Sequence, residues 1–334
     1  MGETSVSVVI VSWNHGHLLS GCLDALLAQD YAKLDITVVD NGSQDGSPRR
    51  VADSYPGVSL WTFSDNLGFS AALNWGISHT QGDFILSLNP DVIANENFVT
   101  QLVQAIADDE SIGGVAPKLL QAQNPKLLDS TGLFIDRRRR PFDRGQGEPD
   151  TGQYDTLPDV FGACGAAALY RRTMLRDLAV GEECFDESFF AYYEDADLAW
   201  RAQLLGWRCV YAPRAVANHD RGWGDTLKKQ GRATKSSQGP RLTLRNRYLM
   251  VVKNDSVAHL LHDLPLILAA EIPRLAYMTI TRPRALLGLV DLIRELPSAR
   301  AKRRQLRTRW RVDHTAVRHW FVASPEAATL GDSV

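Results

Sequence analysis

The chain has 334 residues, which is enough for one large domain or for two, and for a sizeable buried core. Apolar residues make up 44% of it and charged residues 23%, which is ordinary for a soluble globular protein. A net charge of -2 argues against a general nucleic-acid-binding protein. The four cysteines form no C-x-x-C pair, which indicates small buried side chains in a reducing compartment.

The first 110 or so residues alternate predicted strands with predicted helices. Near-continuous apolar runs predict strands at residues 6–11, 36–39, 58–63 and 83–88. Apolar residues at helical spacing predict helices at residues 17–28, 70–79 and 97–107. This alternation predicts an α/β fold in which a mostly parallel sheet carries helices on both faces.

Polar side chains follow each predicted strand at the point where it ends. They are Ser12, Asn14, Asp40, Asn41, Asp65, Asn66, Asn89 and Asp91, with Gly68 in the same loop as Asp65 and Asn66. Because ligands bind at the carboxyl ends of the strands in open α/β sheets, this edge is a candidate site. Asp91 could hold a divalent cation against a diphosphate there. The alternative interpretation of its surroundings is a simple turn, since Asn, Pro and Asp are common turn formers.

A second group of acids lies where another helix is predicted to begin. Glu194, Asp195 and Asp197 follow a stretch rich in aromatic residues. Acids in a first helical turn are stabilised by the helix dipole and by free N–H groups, so a structural role is one interpretation. Burial among the aromatic residues is the other, because a half-buried carboxylate cluster is a candidate catalytic site.

The rest of the chain is less regular. The polar composition of residues 137–155 predicts a loop. The four arginines at 137–140 are expected to be solvated, or to hold anions beside a diphosphate. Leucines alternate with arginines after residue 243, which predicts helices that pack on the sheet, lie on an anionic membrane surface, or do both. No membrane-spanning segment is predicted, since residues 260–280 include His262, Asp263, Glu271 and Arg274. We therefore expect two regions, residues 1–240 and 241–334.

Five motifs in order resemble those of the family 2 glycosyltransferases, which are inverting enzymes with the GT-A fold. The motifs are Val-Ile-Val-Ser-Trp-Asn, Val-Val-Asp-Asn-Gly-Ser-x-Asp-Gly-Ser, Asp-Asn-x-Gly-Phe, Leu-Asn-Pro-Asp and Phe-Phe-x-Tyr-x-Glu-Asp-x-Asp-Leu-x-x-Arg. The resemblance covers residues 5–220. The forms of the last two motifs look most like the rhamnosyltransferase branch of that family.

The resemblance implies a nucleotide-sugar pocket built from the strand ends. Its members would be Ser12, Asn14, Asp40, Asn41, Asp65, Asn66, Gly68 and Asn89. Asp40 matches a carboxylate that accepts a hydrogen bond from the ring N–H of the pyrimidine, which uracil and thymine both offer. Asp65 and Asn66 match positions near the nucleotide, in the loop that closes on it.

The resemblance also assigns a metal site and a catalytic base. Asp91 matches the last acid of an Asp-x-Asp motif that binds Mg²⁺ or Mn²⁺, but Asn89 replaces the first acid, so one ligand carries no charge. His219 resembles a histidine that joins the metal or the diphosphate. Asp195 matches the general base that takes the proton of the acceptor hydroxyl, and Glu194 is the rival for that role.

The activity implied is transfer of a sugar from a nucleoside diphosphate, with dTDP-L-rhamnose favoured over a UDP-hexose or UDP-galactofuranose. The acceptor would be a polyprenol-linked sugar or a growing cell-surface polysaccharide, reached from the cytoplasm at the membrane face. A sugar-phosphate nucleotidylyltransferase would need a glycine-rich, basic loop after the first strand, which this chain lacks. A non-catalytic carbohydrate-binding protein is the alternative of another class, and it would not need Asp91, Asp195 and His219 together.

Overall fold

A ten-stranded sheet is the centre of the computed structural model, which describes residues 4–156, 158–221 and 238–323. Three further strands form a small second sheet. In chain order the strands are β1 (Val6–Ser12), β2 (Leu34–Asp40), β3 (Ser59–Thr62), β4 (Phe84–Leu88), β5 (Val92–Ala94), β6 (Ile112–Gln121), β7 (Asn124–Ser130), β8 (Leu133–Asp136), β9 (Pro141–Asp143), β10 (Asp159–Val160), β11 (Ala167–Arg171), β12 (Arg208–His219) and β13 (Phe321–Val322).

Helices cover both faces of the large sheet. They are α1 (Gly16–Leu27), α2 (Ser47–Ser54), α3 (Phe69–Ser78), α4 (Phe98–Ile106), α5 (Arg172–Leu178), α6 (Glu194–Leu204), α7 (Gln238–Asn254), α8 (Val257–Thr281), α9 (Leu287–Arg307) and α10 (His314–Val317). Alternate residues of β1 enter two separate cores: Val8 and Ile10 pack with α1 and α4, whereas Val9 and Val11 pack with α3 and α6. A strand buried on both faces needs apolar residues at every position, which explains the continuous run in the sequence.

The strand order is β10-β12-β6-β11-β4-β1-β2-β3. The strands β4, β1, β2 and β3 are parallel neighbours, and β11 runs antiparallel between β4 and β6. The predicted parallel sheet with helices on both faces is therefore confirmed for the N-terminal part, and the complete sheet is mixed. The parallel order brings the polar ends of β1, β2 and β4 to one edge.

The expectation for the arginines at 137–140 is wrong. Arg137 and Arg139 each donate to Asp263 over 2.6 Å, and Arg139 also donates to Asp255 over 2.8 Å. Residues 141–143 form β9 rather than an irregular loop. Arg137, Arg139 and Arg140 thus contact buried acids of the C-terminal region. Those acids need cations once they leave water.

The C-terminal region is helical, as predicted, and it returns to the small sheet through β13, which pairs with β8. The boundary at residue 240 remains a prediction. The sequence-based exclusion of a spanning segment was too strict: α8 is long and apolar enough to cross a membrane by length and composition alone. Its two acids, Asp263 and Glu271, are buried against the protein, which gives the helix one polar face.

Candidate active site

The ends of β1 and β2 place buried polar groups side by side. Ser12 pairs with Asp40 in the parallel register, and Asn41 follows directly. All three side chains are buried, yet Oγ of Ser12 and Oδ1 of Asp40 have no hydrogen-bond partner among the described residues. Buried polar atoms are normally paired, so these two atoms mark a place where a polar ligand would be satisfied.

Asn41 joins the loops that follow β2 and β3. Its Nδ2 donates to Oδ1 of Asn66 and to the carbonyl of Gly68, both over 3.0 Å, and its Oδ1 accepts from the N–H of Leu67 over 2.9 Å. Asn14 has a similar role, because its Oδ1 accepts from a backbone N–H of the β2 loop over 2.8 Å. These two predicted binding residues therefore shape the pocket wall with their side chains.

The loop that follows β3 packs closely against the segment that precedes α6. Gly68 has a φ of 92°, and a Cβ there would lie 2.6 Å from the ring of Phe190. Only glycine suits both the backbone angle and the space. Asp65 is exposed on the same loop, and its Oδ2 accepts from the hydroxyl of Ser64.

The end of β4 and the end of β12 bring Asp91 and His219 together. Oδ1 of Asp91 lies 3.5 Å from Nε2 of His219, and the backbone N–H of Asp220 donates to the Asp91 carbonyl over 2.9 Å. Nδ1 of His219 is 2.7 Å from Oδ2 of Asp129. Burial opposes the charge on His219, but the hydrogen bond to Asp129 and the charges of Asp91 and Asp129 outweigh it and raise the pKa of this imidazole to about 9.

Once His219 has released its proton, Asp91 and His219 fit one cation that a diphosphate would complete. Oδ1 of Asp91 is buried without a hydrogen bond from any described residue, and Asp129 orients His219 as second carboxylates orient metal-ligating histidines. Mg²⁺ commonly takes one or two protein ligands and fills its remaining positions with water and phosphate oxygens. In the described part of the chain, no cluster of three or more acids, histidines and cysteines forms a complete metal site. Asn89 lies two residues before Asp91 in the sequence. It is half-buried, and its backbone N–H donates to the carbonyl of Ala166.

Glu194 and Asp195 begin α6 and form the second side of the candidate site. This side is joined to the first because Asn89 contacts Ala166 and the adjacent Gly165 contacts Asp195. Oδ2 of Asp195 accepts from the N–H of Gly165 over 2.9 Å, and Oδ1 accepts from the N–H of Ala196 over 2.7 Å. Oε2 of Glu194 is buried without a hydrogen bond from the described residues. Burial raises the pKa of both carboxyl groups, and the neighbouring charge of Asp195 raises that of Glu194 further.

A row of charges that the sequence reasoning missed connects the two sides. Arg221 donates to Oδ1 of Asp129 over 2.6 Å and to Oδ2 of Asp143 over 2.7 Å. The charge of Asp143 in turn adds to the raised pKa of Asp195. Asp129 and Asp143 lie on β7 and β9, which no sequence pattern predicted, so only the position of Arg221 two residues after His219 offered a signal.

Comparisons with known proteins identify the family. The sequence model described as Glycosyl transferase family 2 matches residues 7–179, which is just over half of the chain. The chain belongs to glycosyl transferase family 2. This glycosyltransferase is therefore a transferase enzyme, as the resemblance implied, and a purely carbohydrate-binding protein is not the favoured class.

Several curated relatives are similar to this chain over more than 200 residues. N-acetylglucosaminyl-diphospho-decaprenol L-rhamnosyltransferase of Mycobacterium tuberculosis is 26% identical over 239 residues, which are 64% of this chain and 75% of the relative. Amylovoran biosynthesis glycosyltransferase AmsB of Erwinia amylovora is 24% identical over 259 residues, covering 74% and 82%. An N-acetylglucosaminyltransferase of Bradyrhizobium diazoefficiens is 27% identical over 229 residues but is matched over only 44% of its own length.

Solved structures support the fold. Residues 1–349 of S. aureus TarS, in complex with UDP-GlcNAc, superpose with a TM-score of 0.58 at 16% identity, over 96% of this chain and 93% of that one. The mannosyltransferase PcManGT of Pyrobaculum calidifontis, in complex with GDP-Man and Mn2+, gives a TM-score of 0.50 at 20% identity, over 94% and 78%. The predicted GT-A fold is thereby confirmed.

Proposed function

We propose that this glycosyltransferase inverts the anomeric centre of a nucleoside diphosphate sugar while transferring the sugar to a hydroxyl group. The acceptor oxygen forms a bond to the anomeric carbon, the bond from that carbon to the diphosphate breaks, and the diphosphate leaves with the electron pair. Asp195 takes the proton of the hydroxyl. The observation that carries this proposal is the arrangement of Asp91 with His219 on one side and Asp195 on the other, linked by the row through Arg221.

Asp195 is the better candidate for the base. Two backbone N–H groups fix its carboxylate, whereas one oxygen of Glu194 has no described hydrogen-bond donor. The neighbouring charge of Asp195 favours a proton on Glu194, and a protonated carboxyl cannot accept another. Glu194 then donates a hydrogen bond and orients the acceptor.

Asp91 and His219 are the residues that would hold Mg²⁺ or Mn²⁺, which neutralises charge on a leaving diphosphate when it is bound. The uncharged Asn89 in the place of a first acid favours modest metal affinity. Arg221 lies in the same row and offers a guanidinium whose planar N–H groups suit phosphate oxygens. Ser12 and Asp40 would hold the nucleoside at the neighbouring strand ends.

The favoured donor is dTDP-L-rhamnose, and the favoured acceptor is a sugar on a polyprenol diphosphate or a growing polysaccharide. Support comes from the motif forms and from the relative named as an L-rhamnosyltransferase acting on a decaprenol-linked sugar. A UDP-hexose or UDP-galactofuranose is the alternative donor, because Asp40 would accept from uracil as readily as from thymine.

A lipid-linked acceptor places the enzyme at the cytoplasmic face of the membrane, and α8 suits that location. Its outward face is apolar, with exposed side chains at Val257, Leu261, Leu268, Ile272, Tyr277 and Ile280. Within residues 257–300 every exposed charged side chain is an arginine: Arg282, Arg284, Arg294 and Arg300. An apolar face flanked by cations matches an anionic bilayer surface, and the buried acids of α8 favour a helix that lies on the bilayer.

Donor binding tests the proposed reaction. The protein would be titrated with dTDP-rhamnose, UDP-glucose, UDP-galactose and GDP-mannose, with and without Mn²⁺, beside an Asp91→Ala variant. Metal-dependent binding of dTDP-rhamnose that the variant loses is the expected result. Tighter binding of a UDP-sugar would transfer the proposal to the alternative donor, and binding of none of the four would overturn the donor assignment.

Co-sedimentation with vesicles tests the membrane surface. We expect binding to phosphatidylglycerol vesicles that weakens with salt and with the double variant Leu268→Asp/Ile272→Asp. Leu27→Asp removes a comparably exposed leucine on α1 and is the matched control. Equal binding by the double variant and the control would contradict the assignment to α8.

A further inference from the structure

The segment leading into the two candidate catalytic acids has a strained backbone. Phe190, Tyr192 and Tyr193 have φ angles of 63°, 74° and 72°, a region that residues other than glycine rarely adopt. Phe190 has a φ of 63° and a ψ of -62°, and the N–H of Ala191 donates to the carbonyl of Phe189 over 2.7 Å. These three residues therefore form a strained γ-turn. Segment 188–193 keeps this shape only while its surroundings hold it.

One buried amide of α7 provides much of that support. Nδ2 of Asn246 lies 2.8 Å from the carbonyl oxygens of Phe189, Ala191 and Tyr192. Oδ1 of the same side chain accepts from Nε of Arg245 over 2.9 Å, and Nη2 of this arginine donates to two carbonyls of the segment over 2.6 and 3.0 Å. The side chain of Asn246 is fully buried, so water does not replace these bonds.

The opposite side of the segment contacts the proposed donor pocket. The carbonyl of Phe190 accepts from the N–H groups of Phe69 and Ser70, the first residues of α3, over 2.5 and 3.3 Å. The ring of Phe190 also contacts the turn at Gly68. Segment 188–193 is therefore held between α7 and the pocket loop, immediately before Asp195.

We propose that Asn246 is a positioning residue for catalysis. By holding three carbonyls of the strained segment it sets the location of Asp195 relative to the donor sugar, although it touches neither substrate. This inference rests on the role proposed above for Asp195. The other buried polar residues at the end of α7 contact carboxylates instead: Lys253 donates to Asp186 and Asp197, and Asn254 donates to Asp197.

Removal of the amide should therefore slow catalysis more than it weakens donor binding. In Asn246→Ala the carbonyls of Ala191 and Tyr192 lose this donor, while the carbonyl of Phe189 still accepts from Arg245. The segment can then relax to ordinary φ angles. A displacement of about 1 Å at a reacting group lowers the rate about 100-fold. We expect kcat to fall by about this factor, with KM for the donor changed less than about threefold. The residues proposed to hold the nucleoside, Ser12 and Asp40, lie on β1 and β2, and of the described pocket residues only the loop at Gly68 contacts the segment. Asn246→Gln keeps an amide and should recover part of kcat.

Asn254→Ala is the matched control. It makes the same replacement on the same helix at another fully buried position, and Asp197 keeps Arg201 and Lys253 as partners. Its kcat should remain within about threefold of wild type, while its Tm falls below that of wild type. The readouts are kcat, KM for the donor, and Tm of each variant.

Three results would overturn the inference: a kcat of Asn246→Ala equal to that of Asn254→Ala, a parallel loss of donor binding and kcat, or no recovery in Asn246→Gln. Asn246→Gln also serves as the test variant if Asn246→Ala does not fold, with reduced kcat and unchanged KM expected. Asp195→Asn separates this inference from the proposed function. If Asp195→Asn stays active, the base assignment fails, whereas an inactive Asp195→Asn beside a fully active Asn246→Ala refutes only the positioning role.

Discussion

Asp195→Asn should abolish most of the activity while leaving the protein folded. General base catalysis contributes about 10²- to 10⁴-fold to a rate, so removal of the carboxylate should lower kcat by that factor, or about 3–5 kcal/mol of barrier. The amide has nearly the same shape, and the donor contacts proposed at Asp40 and Asp91 are on other elements. The dissociation constant for the donor should therefore stay within about threefold of wild type.

The structure also predicts a small effect of Asp195→Asn on stability. Each oxygen of the Asp195 carboxylate accepts from one N–H group. In the variant the single amide oxygen can accept from only one of these two N–H groups. One lost hydrogen bond costs about 0.5–1.5 kcal/mol. Burial raises the pKa of Asp195, which means that its charged form destabilises the folded state at neutral pH. The neutral amide removes this penalty, so the two effects oppose each other and the net change should be below about 1.5 kcal/mol.

The assay combines steady-state sugar transfer, donor titration by calorimetry and urea unfolding on wild type, Asp195→Asn and Glu194→Gln. Glu194→Gln is the control that distinguishes the two acids, and its kcat should fall less than about tenfold because an amide still donates a hydrogen bond. The reasoning is refuted if Asp195→Asn keeps more than a tenth of the wild-type kcat. It is also refuted if Glu194→Gln shows the larger loss.

Three further predictions follow from the same contacts. The acid limb of kcat/KM should have its midpoint above the pKa of about 3.9 for an ordinary aspartate. Asp195 must be ionised to act as the base, and because burial raises its pKa, activity is lost as pH falls through that raised value. A pH-rate profile with a midpoint at or below about 4 would contradict this. Lys253→Met removes one of the two described cations that contact Asp186 and one of the two that contact Asp197, which keep Lys302 and Arg201, and should lower the free energy of unfolding by about 1.5–3 kcal/mol, as measured in urea; a loss below about 1 kcal/mol would contradict it. Gly68→Ala and Gly46→Ala both place alanine at positive φ, at a cost of about 1 kcal/mol. Only the alanine at position 68 would also contact Phe190, so Gly68→Ala should destabilise the protein more and weaken donor binding. Equal Tm values for the two variants would rule out the proposed close contact.

The N-terminal elements could be predicted because their signals are local. A strand such as β1 is buried on both faces by its neighbours, and this requirement appears as an unbroken apolar run within seven residues. The same holds for the helices α1, α3 and α4, whose buried faces repeat at helical spacing. The strand-end residues Asp40 and Asp91 followed from those boundaries.

The charged residues beyond the family 2 motifs could not be interpreted in the same way. The four arginines at 137–140 have the appearance of a solvated run, but Arg137 and Arg139 pair with Asp255 and Asp263, more than 110 residues later in the chain. Asp129 and Asp143 lie on strands with no clear period, and they meet Arg221 only after β7, β9 and β12 have assembled. Whether a charge is solvated or paired depends on these distant contacts, which no local pattern contains.

The sequence by itself determined the family 2 identity, the α/β fold class and the acids at the strand ends, because all of these reside in short motifs and local periodicity. Tertiary structure alone decided that Asp129 contacts His219, that a row of charges leads from there toward Asp195, and that Asn246 holds the strained segment before α6. It also decided that α8 turns its acids inward and its apolar side chains outward. The physical reason is that ion pairs and amide–carbonyl contacts between distant elements depend on how helices and strands pack, and packing is a property of the assembled chain rather than of any one segment.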